Sequence, residues 1–108
     1  MKRLVTHNEI EMMCRRVGEI RKEKGWSLQE MASRTWSRTS LSPEYLSRLE
    51  QGQDPPAGPE IWRTIVVALG LTEGRGLRAS QQVDQLNFED IKELLLPKSF
   101  QLGMNFDA

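Results

Sequence analysis

The stretch from Gly25 to Gly52, GWSLQEMASRTWSRTSLSPEYLSRLEQG, constrains the fold most, because it carries two separate helix starts within a few turns of chain. Ser27 and Glu30 stand three apart, the spacing of a capping box, in which the first side chain and the third residue cap each other's backbone amides. Leu28, Met31 and Ala32 then form the inward face of a short helix. Ala32 is small enough there to let a second helix cross closely. The second start is Ser42 followed by Pro43; proline suits the first helical position, where its missing N–H is not needed. Leu46 and Leu49 face inward, and Glu50, Gln51 and Gly52 end the element.

The flanks are helical too. Thr6 and Glu9 have capping-box spacing, and Ile10, Met13, Cys14, Val17 and Ile20 follow at helical intervals, so a helix is expected from about residue 7 to Lys24, with Gly25 as its stop. Cys14 lies on its apolar face and reads as a buried small hydrophobe. Gln53 to Pro59 is too rich in proline for a helix or a central strand. A further helix starts near Pro59 or Glu60, buries Ile61, Ile65, Val66 and Leu69, and ends at Gly70. Trp62 and Val67 widen its apolar surface beyond one seam. Residues 72–83, TEGRGLRASQQV, have no clear period and read as a loop. Asn87 and Asp90 precede Ile91, Leu94 and Leu95, which predicts a helix over about 88–96, or from nearer Asp84, stopped by Pro97. In the tail SFQLGMNFDA, Phe100, Leu102, Met104 and Phe106 alternate, an extended pattern. So apolar a tail is expected to fold back on the core or to add to a partner subunit.

Length and charge bound the function. A chain of 108 residues is one domain by size, with a small core. No run of about 18 apolar residues is present to span a membrane, and Lys2 and Arg3 lead into Thr6, His7, Asn8 and Glu9 without a signal-like apolar segment. With a single cysteine, no internal disulfide scaffold forms, and a cytoplasmic location is the expectation. The 15 Lys and Arg balance 15 Asp and Glu, but unevenly. Residues 1–52 carry ten basic and seven acidic side chains, a net of +3, and residues 53–108 carry five and eight, a net of −3. The first half can offer a modest positive face to phosphates; the second would repel them and suits a protein surface. Tight non-specific DNA binding is not expected, since that term grows with the number of phosphates neutralised.

The two short helices of Ser27–Gly52 have the layout of a helix-turn-helix, which places its second helix in the DNA major groove. The segment from Val17 to Leu71 resembles the DNA-binding domain of the Cro/C1-type phage repressor and xenobiotic-response-element regulator family. IRKEKGWSLQEMA, LSPEYLSRLEQG and IWRTIVVALGL carry the resemblance. It implies an all-α, compact four- to five-helix, lambda-repressor-like domain, here with a C-terminal extension, binding a palindromic operator as a dimer. It also implies an ion pair between Arg21 and Glu50 that ties the first helix to the end of the recognition helix. The chain departs from the family pattern at Leu28, where many members have a glutamine that touches phosphate, in the long 72–83 segment, and in the connection Thr35–Leu41, longer than the usual three- or four-residue turn. Leu41 is expected to act there as a staple or plug. Trp36 either covers the core at the base of this loop, the favoured reading, or lies against the sugar–phosphate backbone.

The candidate DNA-contacting set is Ser27, Gln29, Arg38, Ser42, Glu44, Tyr45, Ser47 and Arg48. Arg48 is the leading charged contact, to phosphate more than to guanine. Arg38 and Ser42 add phosphate contacts from the turn. Tyr45 can pack on a thymine methyl or bond a phosphate. Glu44 either accepts from cytosine N4 or balances the helix macrodipole. The alternative to a DNA-binding transcriptional repressor or regulator is a protein-interaction module or antitoxin-like docking protein, with the C-terminal segment meeting a protein partner. A continuous basic stripe through Arg34, Arg38 and Arg48, joined by Lys22 or Lys24, would favour DNA; acids interrupting it would favour docking. No cofactor is expected and no enzyme chemistry: no Gly-rich phosphate loop, Cys/His metal spacing or nucleophile–base pair is present, and His7 stands without a cluster. Nor does any aromatic–basic interleaving point to RNA.

Overall fold

The computed structural model describes residues 6–72 and 83–97. Over these the chain is all-α, with five helices: α1 (His7–Glu23), α2 (Leu28–Thr35), α3 (Pro43–Glu50), α4 (Pro59–Ala68) and α5 (Phe88–Leu95). Local chemistry sets most of their ends. Thr6 Oγ1 accepts from Glu9 N at 3.2 Å while Glu9 Oε1 accepts from Thr6 N at 3.0 Å, a full capping box. Asn87 and Asp90 repeat it at α5. At α2 only half of the expected box forms. Ser27 Oγ accepts from Glu30 N at 3.1 Å, but the Glu30 carboxylate reaches Arg34 at 3.3 Å instead. α1, α3 and α4 end alike, with Gly25, Gly52 and Gly70 at φ near +75°. After α3, Gly52 N donates to Leu49 O and Gln53 N to Arg48 O, both at 2.9 Å, the paired bonds of a Schellman motif. A β-carbon disfavours that left-handed conformation, so glycine fits it best.

α3 packs on α1 and α2, α2 on α4, and α5 closes the body against α1 and α4. Met13, Cys14, Val17, Met31, Leu46, Leu49, Ile65 and Ile91 are all fully buried in a single cluster, with Ala32 at the α2 crossing. Trp62, read as widening the apolar surface of α4, is fully buried, and its Nε1 donates to Pro56 O at 3.3 Å, so the proline-rich loop supplies the acceptor. Lys92 was not singled out from the sequence. It sits buried on α5 with its Nζ 3.1 Å from Glu9 Oε2, joining the last described helix to the first turn of α1.

The α2–α3 connection is built on Thr35. Its Oγ1 donates to Ala32 O at 2.6 Å and accepts from Leu41 N at 3.1 Å, and Leu41 is buried, plugging the turn. Trp36 does not cover the core as favoured from sequence: it is 65% exposed. Thr35 takes the inward position one step earlier, which turns the next side chain away from the body. The expected loop at 72–83 falls almost wholly outside the described residues; its ends, Thr72 and Val83, are buried. The tail with Phe100, Leu102, Met104 and Phe106 lies outside them too. Among the described residues no helix is long and apolar enough to cross a membrane.

Burial, with a smaller push from the nearby Glu11 carboxylate, raises the Cys14 thiol pKa to about 11. A raised folded-state pKa favours the thiol in the native state; that contribution is complete below the unfolded-chain value near 9 and is lost as pH rises through about 11. Cys14 is therefore expected to resist iodoacetamide at pH 8 in native protein and to react on unfolding in urea, as mass spectrometry would show; rapid native labelling would contradict this packing.

Candidate nucleic-acid interface

Arg21 on α1 fixes the position of α3. Its Nε donates to Glu50 Oε2 at 2.7 Å and its Nη2 to Glu50 Oε1 at 3.1 Å, a bidentate pair, while Nη1 donates to Trp26 O at 2.7 Å. Both side chains are only 11% exposed. The hydrogen bond to Glu50 pushes the guanidinium pKa up, against a smaller opposing effect of burial. The carboxylate can lie there because Gly18 has no side chain: a β-carbon would meet Glu50 Oε1 at 2.9 Å. One contact thus holds the end of α3, the last turn of α1 and the entry to α2.

With α3 held this way, its outer face presents Glu44 and Arg48, both exposed, with Ser47 and Tyr45 half-buried beside them. Tyr45 packs its ring against the core, and burial, then the negative charge of Asp54, raises its pKa. Ser47 Oγ accepts from Gln51 Nε2 at 3.1 Å. Ser42 Oγ caps Tyr45 N at 3.0 Å, as Ser27 Oγ caps Glu30 N, so each hydroxyl keeps its own proton to donate. Gln29, exposed on α2, lines the same cleft as Ser42 and Pro43 at the start of α3. Arg38 is turned elsewhere. Its Nη2 donates to Asp84 Oδ1 at 2.5 Å, tying the α2–α3 turn to the segment before α5.

The three arginines whose alignment in a stripe would favour DNA each face an acid. Arg34 reaches Glu30 at 3.3 Å and stacks 3.8 Å from the Trp26 ring, Arg48 lies 3.9 Å from Asp54, and Arg38 holds Asp84. The Arg48–Asp54 pair is long, with side chains 49% and 78% exposed, so it is worth little and gives way readily to another anion. Residues that sequence reading did not single out also belong to this face. Ser33 and Ser40 line the cleft with Gln29 and Trp36, and the spacing of Gln29, Ser33 and Trp36 at intervals of four and three was the available signal. Among the described residues no group of His, Cys, Asp and Glu could hold a metal ion.

Residues 13–80, more than half of the chain, match a family model described as a helix-turn-helix domain. No curated protein and no solved structure matches.

Breaking the Arg21–Glu50 pair from one side is expected to cost about 3 kcal/mol or more, since it strands a largely buried charge. Glu50→Gln should therefore lower the urea midpoint clearly, and an Arg21→Met, Glu50→Leu double variant should recover much of the loss. Equal midpoints for Glu50→Gln and wild type would show that the pair does not hold α3.

Proposed function

The chain belongs to the helix-turn-helix domain family, and we propose that it is a sequence-specific double-stranded DNA-binding regulator of the Cro/C1 type, a cytoplasmic repressor with a lambda-repressor-like core. The observation that carries this reading is the outward face of α3, with Glu44, Tyr45, Ser47 and Arg48 on a short helix braced by Arg21–Glu50 and set across a cleft from Gln29 on α2. In this geometry the second helix of the motif enters the major groove and the first crosses the backbone. Arg48 meets a phosphate, exchanging its weak pairing with Asp54; Tyr45 and Glu44 read base edges; Ser27, Gln29, Ser42 and Ser47 donate to phosphates or bases. Arg38 joins them only by leaving Asp84. Residues 7–71 form the DNA-binding core, 72–83 the connection, and 84–108 brace a homodimer on a palindromic operator. No cofactor takes part.

A docking role is the second reading, favoured by the acids beside Arg34, Arg38 and Arg48, which leave little net positive potential on the face. In vitro selection from random duplexes separates the two: a regulator enriches one site, palindromic if the protein is a dimer, and a docking protein enriches none. On the selected site, Arg48→Ala should weaken binding and lower the slope of log affinity against log salt by about 1.

A further inference from the structure

The largest apolar side chain exposed among the described residues is Trp36, and it stands beside a cleft of about 680 Å³ between α2 and the start of α3. Ala32, Leu41 and Pro43 contribute apolar surface; Gln29, Ser40 and Ser42 contribute an amide and two hydroxyls as donors, while the Ser33 hydroxyl, also on the wall, donates to Glu30 O at 2.8 Å. We propose that this cleft takes one sugar–phosphate strand of a DNA duplex, with the Trp36 indole against deoxyribose carbons and the neutral donors on phosphate oxygens.

The inference rests on the DNA-binding reading and adds to it a docking site for the backbone. Three features select this occupant. The cleft opens onto the first turn of α3, so it is continuous with the proposed base-reading face. No carboxylate lines it to repel phosphate, and no lysine or arginine lines it to attract an acidic peptide. Indole joins a broad apolar body to one N–H donor, and hydroxyl and amide side chains are common phosphate ligands. A DNA strand offers sugar carbons and phosphate oxygens in alternation, which matches this mixture. The lengthened α2–α3 turn makes the site, because its Leu41 plug and Thr35 bonds leave Trp36 facing outward.

The contact would be uncharged, which gives it a signature distinct from that of Arg48. On the selected duplex, Trp36→Ala should bind about tenfold more weakly, as for a truncated aromatic anchor, with an unchanged salt slope because no counterion is released. Trp36 is exposed, so the variant is expected to keep the wild-type urea midpoint. Saturating duplex should also reduce acrylamide quenching of the wild-type tryptophan fluorescence, and that reduction should be absent in Trp36→Phe. Wild-type affinity for Trp36→Ala, with quenching unaltered by duplex, would overturn the inference while leaving DNA binding intact. A wild-type protein that selects no duplex would overturn both, and so point to a protein occupant.

Discussion

The bidentate contact between Arg21 and Glu50 is the constraint on which the presentation of α3 depends. α3 is a single short helix, and its Leu46 and Leu49 fix which side faces the core but leave its tilt and axial position to be set by its ends. Its first turn is held by the Ser42 cap and the Leu41 plug, its last by Glu50 on Arg21. The pair needs the bare backbone of Gly18 beneath it. A largely buried ion pair is a weak source of net stability, since desolvation offsets attraction. Its geometric effect is clearer: two parallel N–H···O bonds set orientation as well as distance.

Polar contacts elsewhere serve the same end. Thr35 closes the α2–α3 turn through two hydrogen bonds, Trp62 engages the proline-rich loop, and Lys92 fastens α5 to the first turn of α1. The outer face of α3 lies among weaker bonds. Arg48 and Asp54 are loosely paired and exposed, so a ligand can displace that contact at small cost. Arg38 differs, because its contact with Asp84 joins the turn to the segment before α5.

Much of this fold was legible because helix ends carry local chemistry. Thr6, Ser27, Ser42 and Asn87 cap the helices they were read to start, and Gly25, Gly52 and Gly70 follow the ends read for them. What the sequence left open lies where tertiary context decides. Trp36 and Trp62 are the same residue type on partly apolar segments, yet one faces solvent and the other fills the core. Thr35 takes the inward place beside Trp36, and Pro56 supplies the acceptor that lets Trp62 be buried. Glu30 chooses Arg34 over the capping role its local spacing suggested, and Asp84 and Lys92 find Arg38 and Glu9 far away in sequence. For the candidate interface, helix position identified the outward residues of α3, but not which arginines are engaged by acids or that Ser33 and Ser40 share a cleft with Gln29.

The central claim is that α2 and α3, held by Arg21–Glu50, form the face that meets DNA. Backbone amide shifts of the isotopically labelled full chain, followed by NMR during titration with its selected duplex, test that claim most directly. The account predicts shifts concentrated at Gln29, Ser33 and Trp36 and from Ser42 to Arg48, with α5 largely unmoved. Shifts concentrated on α5, with the outer face of α3 unmoved, would contradict it.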